Sequence, residues 1–242
     1  MKSIQLILIV LSTLTGCTKK ADTLLTANTN NTSNATTTTA TGSFTYLALG
    51  DSYTIGQSVP QEQSFPYQLA ASLTNSGLNV PAPTIIATTG WTTDNLIAAI
   101  SQSNIHSNTY DFVTLLIGVN DQYQGISQSN YQLKFAQVLN TAIGFAKGDT
   151  SRVFVISIPD YGVTPFAQGR DYIIGPQIDQ FNFINKTISL KAGVHYLNIT
   201  DISRQAATDL SLVAGDGLHP SGKMYTLWIQ QLTPIVYARL HK

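Results

Sequence analysis

The chain has 242 residues, a formal net charge of zero, and charged side chains at only 11% of its positions. No basic cluster appears, so nothing indicates a nucleic acid or an anionic surface as a partner. The single cysteine, Cys17, excludes an intrachain disulfide, a thiolate metal cluster and a cysteine nucleophile elsewhere in the chain. The spacing of histidines and acids matches no metal site, and we expect neither a metal nor a cofactor.

The amino terminus has the pattern of a secretory signal. The apolar run Ile4–Leu14 follows Lys2 and is shorter than the roughly 20 residues that a helix needs to cross a bilayer. The run ends in Leu14-Thr15-Gly16-Cys17, which resembles the lipobox of bacterial lipoproteins. This resemblance implies removal of residues 1–16, a lipid on Cys17 and attachment to a membrane of the bacterial cell envelope. The alternative is a plain secretory signal with an incidental cysteine at its end.

Residues 17–43 are predicted to form a flexible tether. The stretch Asn28–Gly42 consists almost wholly of Asn, Thr, Ala, Ser and Gly, and it offers too little apolar surface to offset the entropy of folding. From Phe44 the composition changes, and residues 44–242 have a length typical of one α/β domain, which we expect to be a monomer.

Short apolar runs alternate with longer amphipathic segments throughout residues 44–242. The predicted strands are Phe44–Leu49, Pro83–Ala87, Phe112–Ile117, Val153–Ile158 and Val194–Ile199. The predicted helices are Phe65–Thr74, Asp94–Ser101, Gln128–Phe145, Pro176–Lys191 and Ser221–Leu240, the last with a possible kink at Pro234. Continuous apolar strands that alternate with helices predict a doubly wound parallel sheet of five strands with helices on both faces.

Polar residues follow three of the predicted strands and precede the last helix. They form the segments Gly50-Asp51-Ser52, Thr88-Thr89-Gly90-Trp91, Gly118-Val119-Asn120-Asp121 and Asp216-Gly217-Leu218-His219. Because ligands bind beyond the carboxyl ends of parallel strands, we expect these segments to meet at one edge of the sheet.

The residue types in these segments suit acyl transfer. A serine hydroxyl is a weak nucleophile until a base takes its proton, and an imidazole held by a carboxylate is such a base. Backbone and amide N–H groups stabilise the oxyanion of the tetrahedral intermediate. Asp216 and His219 lie three residues apart, so one loop can bring both groups to Ser52.

The four segments, in this order, resemble the conserved blocks of the SGNH, or GDSL-type, hydrolases. The resemblance covers about Phe44 to Leu240 and implies a flavodoxin-like three-layer α/β/α sandwich with a five-stranded parallel sheet. It also implies the site roles. Ser52 is the nucleophile, His219 the base and Asp216 its partner, and the oxyanion hole consists of the backbone N–H groups of Ser52 and Gly90 and the side chain of Asn120. The position after Ser52, often leucine in the family, is Tyr53 here, a residue common among its members.

Each segment taken alone has an ordinary structural interpretation. Asp51 or Ser52 can cap a helix, Gly90 can be a turn glycine, and Asp216-Gly217 is a common turn pair. Four such coincidences in family order are far less probable than one catalytic site. A non-catalytic binding lipoprotein that kept the fold is the competing hypothesis, and the intact set of functional groups argues against it.

The loop from Pro159 to Pro176 is long for a βα connection and carries several aromatic residues. Together with residues of the other segments it predicts an apolar substrate pocket, formed by Tyr53, Trp91, Tyr123, Tyr161, Phe166 and Leu218, although each of these side chains can equally serve packing. We expect a small-molecule, carbohydrate or lipid ester as substrate, and hydrolysis of short-acyl carboxylic esters as the activity. A lysophospholipase or thioesterase of the same family is the alternative.

Overall fold

A computed structural model describes residues 42–241 of the chain. The predicted signal peptide (1–16), the predicted lipidation site Cys17 and residues 18–41 of the predicted tether lie outside the described residues. Between residues 42 and 241, no helix combines the length and the apolar character needed to span a membrane.

The centre of the fold is one sheet of five parallel strands. These are β1 (Tyr46–Gly50), β2 (Thr84–Ala87), β3 (Phe112–Leu116), β4 (Val153–Ile156) and β5 (His195–Leu197). Their spatial order is β2-β1-β3-β4-β5, and every neighbouring pair is parallel. This order is that of flavodoxin-like doubly wound folds, so the predicted fold class is confirmed.

The burial of the strands explains their composition. Every residue of β1, β3 and β4 is buried, whereas β2, at the edge of the sheet, is half-buried along its whole length. Strands that are covered on both faces have no solvent-facing positions, and their sequences are therefore continuously apolar instead of alternating.

Eight helices accompany the described strands. They are α1 (Ser52–Ile55), α2 (Phe65–Asn75), α3 (Thr93–Gln102), α4 (Val119–Tyr123), α5 (Gln128–Phe145), α6 (Asp171–Lys191), α7 (Thr200–Arg204) and α8 (Gly222–Leu240). Helix α2 packs against α8, and α5 contacts both α3 and α6, which gives helical layers on both sides of the sheet. Helix α8 continues through Pro234 to Leu240.

Helix α6 begins earlier than the sequence pattern predicts. Proline favours the first turn of a helix, which is why the prediction begins at Pro176, but the helix begins at Asp171 and contains the proline. The residue before a proline normally avoids the helical conformation, partly because its Cβ clashes with the proline ring. Gly175 has no Cβ, so the helix can pass this point. The loop after β4 is correspondingly shorter, and it contains two short 3₁₀ turns, Tyr161–Val163 and Pro165–Ala167.

The strand order fixes the location of the site. The chain proceeds from β1 to β2 on one side and from β3 to β4 on the other, so a crevice opens between the carboxyl ends of β1 and β3. Ser52 lies two residues beyond the end of β1, and Asn120 lies four residues beyond the end of β3. The two segments therefore flank the same crevice.

Candidate active site

A tight turn between β1 and α1 presents Ser52. Asp51 caps the first turn of α1, where its Oδ1 accepts a hydrogen bond from the Tyr53 backbone N–H at 3.0 Å. A Cβ at Gly50 would collide with the Thr54 side chain and the Leu116 carbonyl oxygen, so the strand can enter this turn only with glycine. Ser52 lies at the start of α1 with 4% of its surface exposed.

Asp51 is a fully buried carboxyl beside the nucleophile. Burial raises its pKa to about 8; the Tyr53 hydrogen bond opposes this rise, and the nearby charge of Asp121 adds to it. Its second oxygen, Oδ2, has no hydrogen-bond partner within residues 42–241. A carboxyl in such surroundings favours the neutral, protonated form.

The loop before α8 holds Asp216 and His219 in direct contact. The His219 Nδ1 atom lies 2.6 Å from Asp216 Oδ2, and Asp216 Oδ1 accepts hydrogen bonds from the backbone N–H groups of Leu218 and His219 at 2.9 and 3.0 Å. The Ser58 hydroxyl donates a further hydrogen bond to Asp216 Oδ2 at 2.6 Å. Partial burial alone would raise the pKa of Asp216, but these hydrogen bonds outweigh it and hold the pKa well below its usual range.

The turns after β2 and β3 carry the two other predicted oxyanion donors. Gly90 has a φ of +82°, a conformation that suits glycine and agrees with its interpretation as a turn residue. The Asn120 side chain donates one N–H to the Trp91 carbonyl oxygen at 2.9 Å. Because a primary amide has two N–H donors, this contact orients the Asn120 side chain and leaves the second donor available.

One small cavity lies between the Ser52 turn, the Asn120 turn and the loop that carries His219. It has a volume of about 130 Å³. Its lining residues are Ser52, Tyr53, Val119, Asn120, Tyr123, Tyr161, Phe166, Leu218 and His219. The structure thus brings the predicted nucleophile, the predicted base and the Asn120 side chain, a predicted oxyanion donor, to the same cavity. Asp216 does not line the cavity but contacts His219, which does. Gly90 is not among the lining residues.

The predicted pocket residues all line this cavity except Trp91. The Trp91 side chain is half-buried and packs against the hydrophobic core, while its carbonyl oxygen accepts the Asn120 amide. Val119 lines the cavity although the sequence analysis did not single it out. Its position between Gly118 and Asn120 is the sequence feature from which a place in the cavity lining could have been predicted.

Three aromatic rings cluster at one side of the cavity. The ring centroids of Tyr123, Tyr161 and Phe166 lie 6.2 to 6.3 Å from one another. The Phe166 backbone N–H donates to the Gly217 carbonyl oxygen at 3.0 Å. The aromatic wall is therefore joined directly to the loop that carries the acid and the imidazole.

The described part of the chain contains no group of three or more His, Cys, Asp or Glu side chains arranged to hold a metal ion. The functional groups around the cavity are a hydroxyl, an imidazole paired with a carboxylate, and an oriented amide. These are the groups that nucleophilic acyl transfer uses.

Comparison with known proteins agrees with the predicted family and with the observed fold. The sequence model of the GDSL-like Lipase/Acylhydrolase family matches residues 48–227. No curated protein matches the chain by sequence.

Several solved structures share the fold at low identity. TesA is 15% identical with a TM-score of 0.64, and the match covers 81% of this chain and 99% of TesA. The psychrotrophic esterase EstA from Pseudoalteromonas sp. is 18% identical with a TM-score of 0.59, covering 82% and 99% of the two chains. The acetylxylan esterase Axe2 from Geobacillus stearothermophilus is 16% identical with a TM-score of 0.62, covering 80% and 94%.

Proposed function

Because this chain belongs to the GDSL-like lipase/acylhydrolase family and is therefore a serine hydrolase that acts on esters, we propose that it cleaves short-acyl carboxylic esters through an acyl-enzyme on Ser52. One observation carries the proposal. Ser52, Asn120 and His219 line the same small cavity, and Asp216 Oδ2 lies 2.6 Å from His219 Nδ1.

The first half of the reaction forms the acyl-enzyme. His219 Nε2 takes the proton of the Ser52 hydroxyl as Oγ attacks the ester carbonyl carbon, and Asp216 stabilises the imidazolium that results. The carbonyl oxygen becomes an oxyanion, which the backbone N–H groups of Ser52 and Gly90 and the Asn120 amide stabilise. The intermediate collapses with release of the alcohol, which takes its proton from His219.

The second half regenerates the enzyme. A water molecule gives a proton to His219 and attacks the acyl carbon bound to Ser52. The same donors stabilise the second oxyanion, the bond to Ser52 Oγ breaks, and His219 returns the proton to the serine. One ester and one water are consumed, and one acid and one alcohol are released.

The size and the lining of the cavity favour a short acyl group. Its volume, about 130 Å³, is close to that of an engineered protein cavity of about 150 Å³ that binds benzene. Pockets for drug-sized ligands are larger, at about 300–1,000 Å³. Most of the lining is aromatic or aliphatic, which suits a hydrocarbon group of roughly six carbon atoms or fewer. Two of the similar proteins are an esterase and an acetylxylan esterase.

Labelling with a fluorophosphonate probe tests the nucleophile, because the probe reacts only with an activated serine. We expect wild type to be labelled and Ser52→Ala to lose both labelling and ester hydrolysis, with kcat lower by about 10⁴ to 10⁶. Ser64→Ala is the matched control, because Ser64 is also buried but its hydroxyl only donates to the Gln61 carbonyl oxygen. A Ser52→Ala variant with more than about a tenth of wild-type activity would contradict the assignment.

A series of p-nitrophenyl esters from acetyl to palmitoyl tests the acyl preference. We expect kcat/KM to be highest for the shortest chains and to fall once the acyl group exceeds the cavity. The highest kcat/KM on a long-chain ester would contradict a short-acyl preference and leave the serine mechanism intact.

We further propose that a lipid on Cys17 anchors the protein to a membrane of the cell envelope. The support is the lipobox-like segment that ends at the only cysteine of the chain. Expressed in a bacterium, the wild type should partition with membranes and have a modified Cys17 at its mature amino terminus, detected by mass spectrometry. Cys17→Ser should block both modification and cleavage, whereas an unmodified terminus beyond Cys17 would refute the anchor.

A further inference from the structure

Ser58 has an unfavourable backbone conformation in the turn that follows the nucleophile helix. Its φ is +67°, in the left-handed region, which residues with a Cβ seldom adopt. Within residues 42–241 only two other non-glycine residues, Lys147 and Gln168, have a positive φ. Strained residues of this kind persist where the surrounding structure holds them, and they cluster at functional sites.

The Ser58 side chain contacts the acid of the proposed triad. Its hydroxyl donates to Asp216 Oδ2 at 2.6 Å, and the same oxygen lies 2.6 Å from His219 Nδ1. The other oxygen, Oδ1, is bound by the backbone N–H groups of Leu218 and His219. Among the described residues, Ser58 is thus the donor to Asp216 that comes from outside its own loop, from a point 158 residues away in the chain.

We propose that Ser58 is a positioning residue for the reaction. It fixes the Asp216 carboxylate against His219, and it joins the loop that carries these two residues (the acid–base loop) to the segment that carries Ser52. The proposal rests on the proposed function, because it assigns Ser58 a part in the same triad. Ser58 does not line the cavity, so it acts through Asp216 and not on the substrate.

The neighbouring residue makes the turn a link between three parts of the site. The Thr89 hydroxyl donates to Gln57 Oε1 at 2.7 Å, and Thr89 directly precedes Gly90. The turn therefore contacts the Gly90 loop through Gln57 and the acid–base loop through Ser58, and it follows the helix that carries Ser52.

The electrostatics of Asp216 agree with this role. Among the described residues, the His219 imidazole contacts the carboxylate directly, and the phenols of Tyr53 and Tyr225 lie within electrostatic range of its charge. Burial raises the pKa of both phenols well above the ordinary value, so both stay neutral. Partial burial of Asp216 opposes ionisation, and the hydrogen bond from the Ser58 hydroxyl contributes most among the hydrogen bonds that overcome it and lower the pKa of Asp216.

Two substitutions separate the hydroxyl from the backbone strain. Ser58→Ala removes the donor and keeps a Cβ at positive φ, whereas Ser58→Gly removes the donor and relieves the strain. We expect both variants to lose kcat by about tenfold with KM changed less than about twofold, since a hydrogen bond to a charged group is lost. The melting temperature should instead differ between them, with Ser58→Gly at or above Ser58→Ala. Lys147→Gly is the control, because it relieves a similar φ of +61° on a residue that does not line the cavity, and it should keep wild-type kcat.

The experiment uses the full chain, as wild type and as the three variants, on one short ester, after labelling at Ser52 has been measured. If wild type is neither labelled nor active, the proposed function fails and the role of Ser58 fails with it. If wild type is labelled and active but both Ser58 variants keep more than half of kcat, only the role of Ser58 is overturned. A loss of kcat that follows the melting temperature, present in Ser58→Ala and absent in Ser58→Gly, would also overturn it, since a purely structural effect would behave in that way.

Discussion

Asp121 accepts two hydrogen bonds from Thr93, one from its backbone N–H at 2.9 Å and one from its hydroxyl at 3.0 Å. The contact joins α4, which also carries Asn120, to the first residue of α3, which follows the Gly90 turn. Both residues are buried, and burial raises the pKa of Asp121 although the Thr93 hydrogen bonds lower it. The two turns that carry predicted oxyanion donors are thus held together by a carboxyl that does not line the cavity.

Replacement of Asp121 should therefore cost both stability and rate. Asp121→Ala leaves the buried N–H and hydroxyl of Thr93 without an acceptor, which should lower the free energy of unfolding by about 2 kcal/mol and the melting temperature by roughly 4–8 °C. We also expect a lower kcat, since the two turns are no longer held together. Asp94→Ala is the control. Asp94 is exposed and pairs with Lys134 at 2.6 Å, a surface contact worth about 0–1 kcal/mol. Equal melting temperatures for the two variants would contradict the bracing role of Asp121.

Asn120→Ala should affect the transition state more than substrate binding. The Trp91 carbonyl oxygen takes one N–H of the Asn120 amide, and the side chain lines the cavity, so the second N–H is the proposed oxyanion donor. Removal of such a donor lowers kcat by about 10² to 10³ with little change in KM. Steady-state kinetics on a short p-nitrophenyl ester measure both constants. A higher KM at unchanged kcat would instead make Asn120 a ligand of the ground-state substrate.

The sequence predicts the sheet well because its strands are buried on both faces. Continuous apolar runs such as Val153–Ile158 leave little choice of element, although the observed strand ends two residues earlier, at Ile156. Helix α5 has the predicted bounds, since Ser127 caps its start. The start of α6 is mispredicted because a proline within a helix and a proline at its first turn are alike in sequence.

The site is predictable only where its residues lie at the ends of elements. Parallel strands place their carboxyl ends at one edge, so the segments with Ser52 and Asn120 can be expected to meet. The contact between Ser58 and Asp216 depends on a left-handed residue and a partner 158 positions away, and no local pattern indicates either. The orientation of Trp91, whose carbonyl oxygen and not its ring serves the site, is likewise set by tertiary contacts.

Asp51 should give the protein a stability that falls as the pH rises. Burial raises its pKa to about 8 in the folded chain, against about 3.9 when unfolded. A carboxyl with a raised folded-state pKa contributes most below the unfolded value, and this contribution is lost progressively between about pH 4 and pH 8. Asp51→Asn resembles the protonated acid and keeps an oxygen for the Tyr53 N–H, so its stability should lack this loss.

Thermal unfolding of wild type and Asp51→Asn between pH 5 and pH 8 tests this expectation. The melting temperature of the variant, minus that of wild type, should increase steadily with pH. Other groups titrate in both proteins, so their contributions cancel in the difference. A difference that stays constant over this range would show that Asp51 does not take up a proton on folding.

The pH dependence of hydrolysis should identify His219 as the base. The imidazole accepts the Ser52 proton only when it is neutral, so kcat/KM should fall on the acid side as His219 becomes protonated. Hydrogen bonds lower the pKa of Asp216, so this carboxylate stays negative and stabilises the imidazolium that forms when Ser52 gives up its proton. Asp216→Asn removes the charge, and the maximum rate should therefore fall by roughly 10⁴. His219→Ala should abolish the acid limb and leave only residual turnover, with kcat lower by about 10⁶. The measurement is kcat/KM against pH for the three proteins on one soluble ester. An acid limb that persists unchanged in His219→Ala would mean that a different group takes the serine proton.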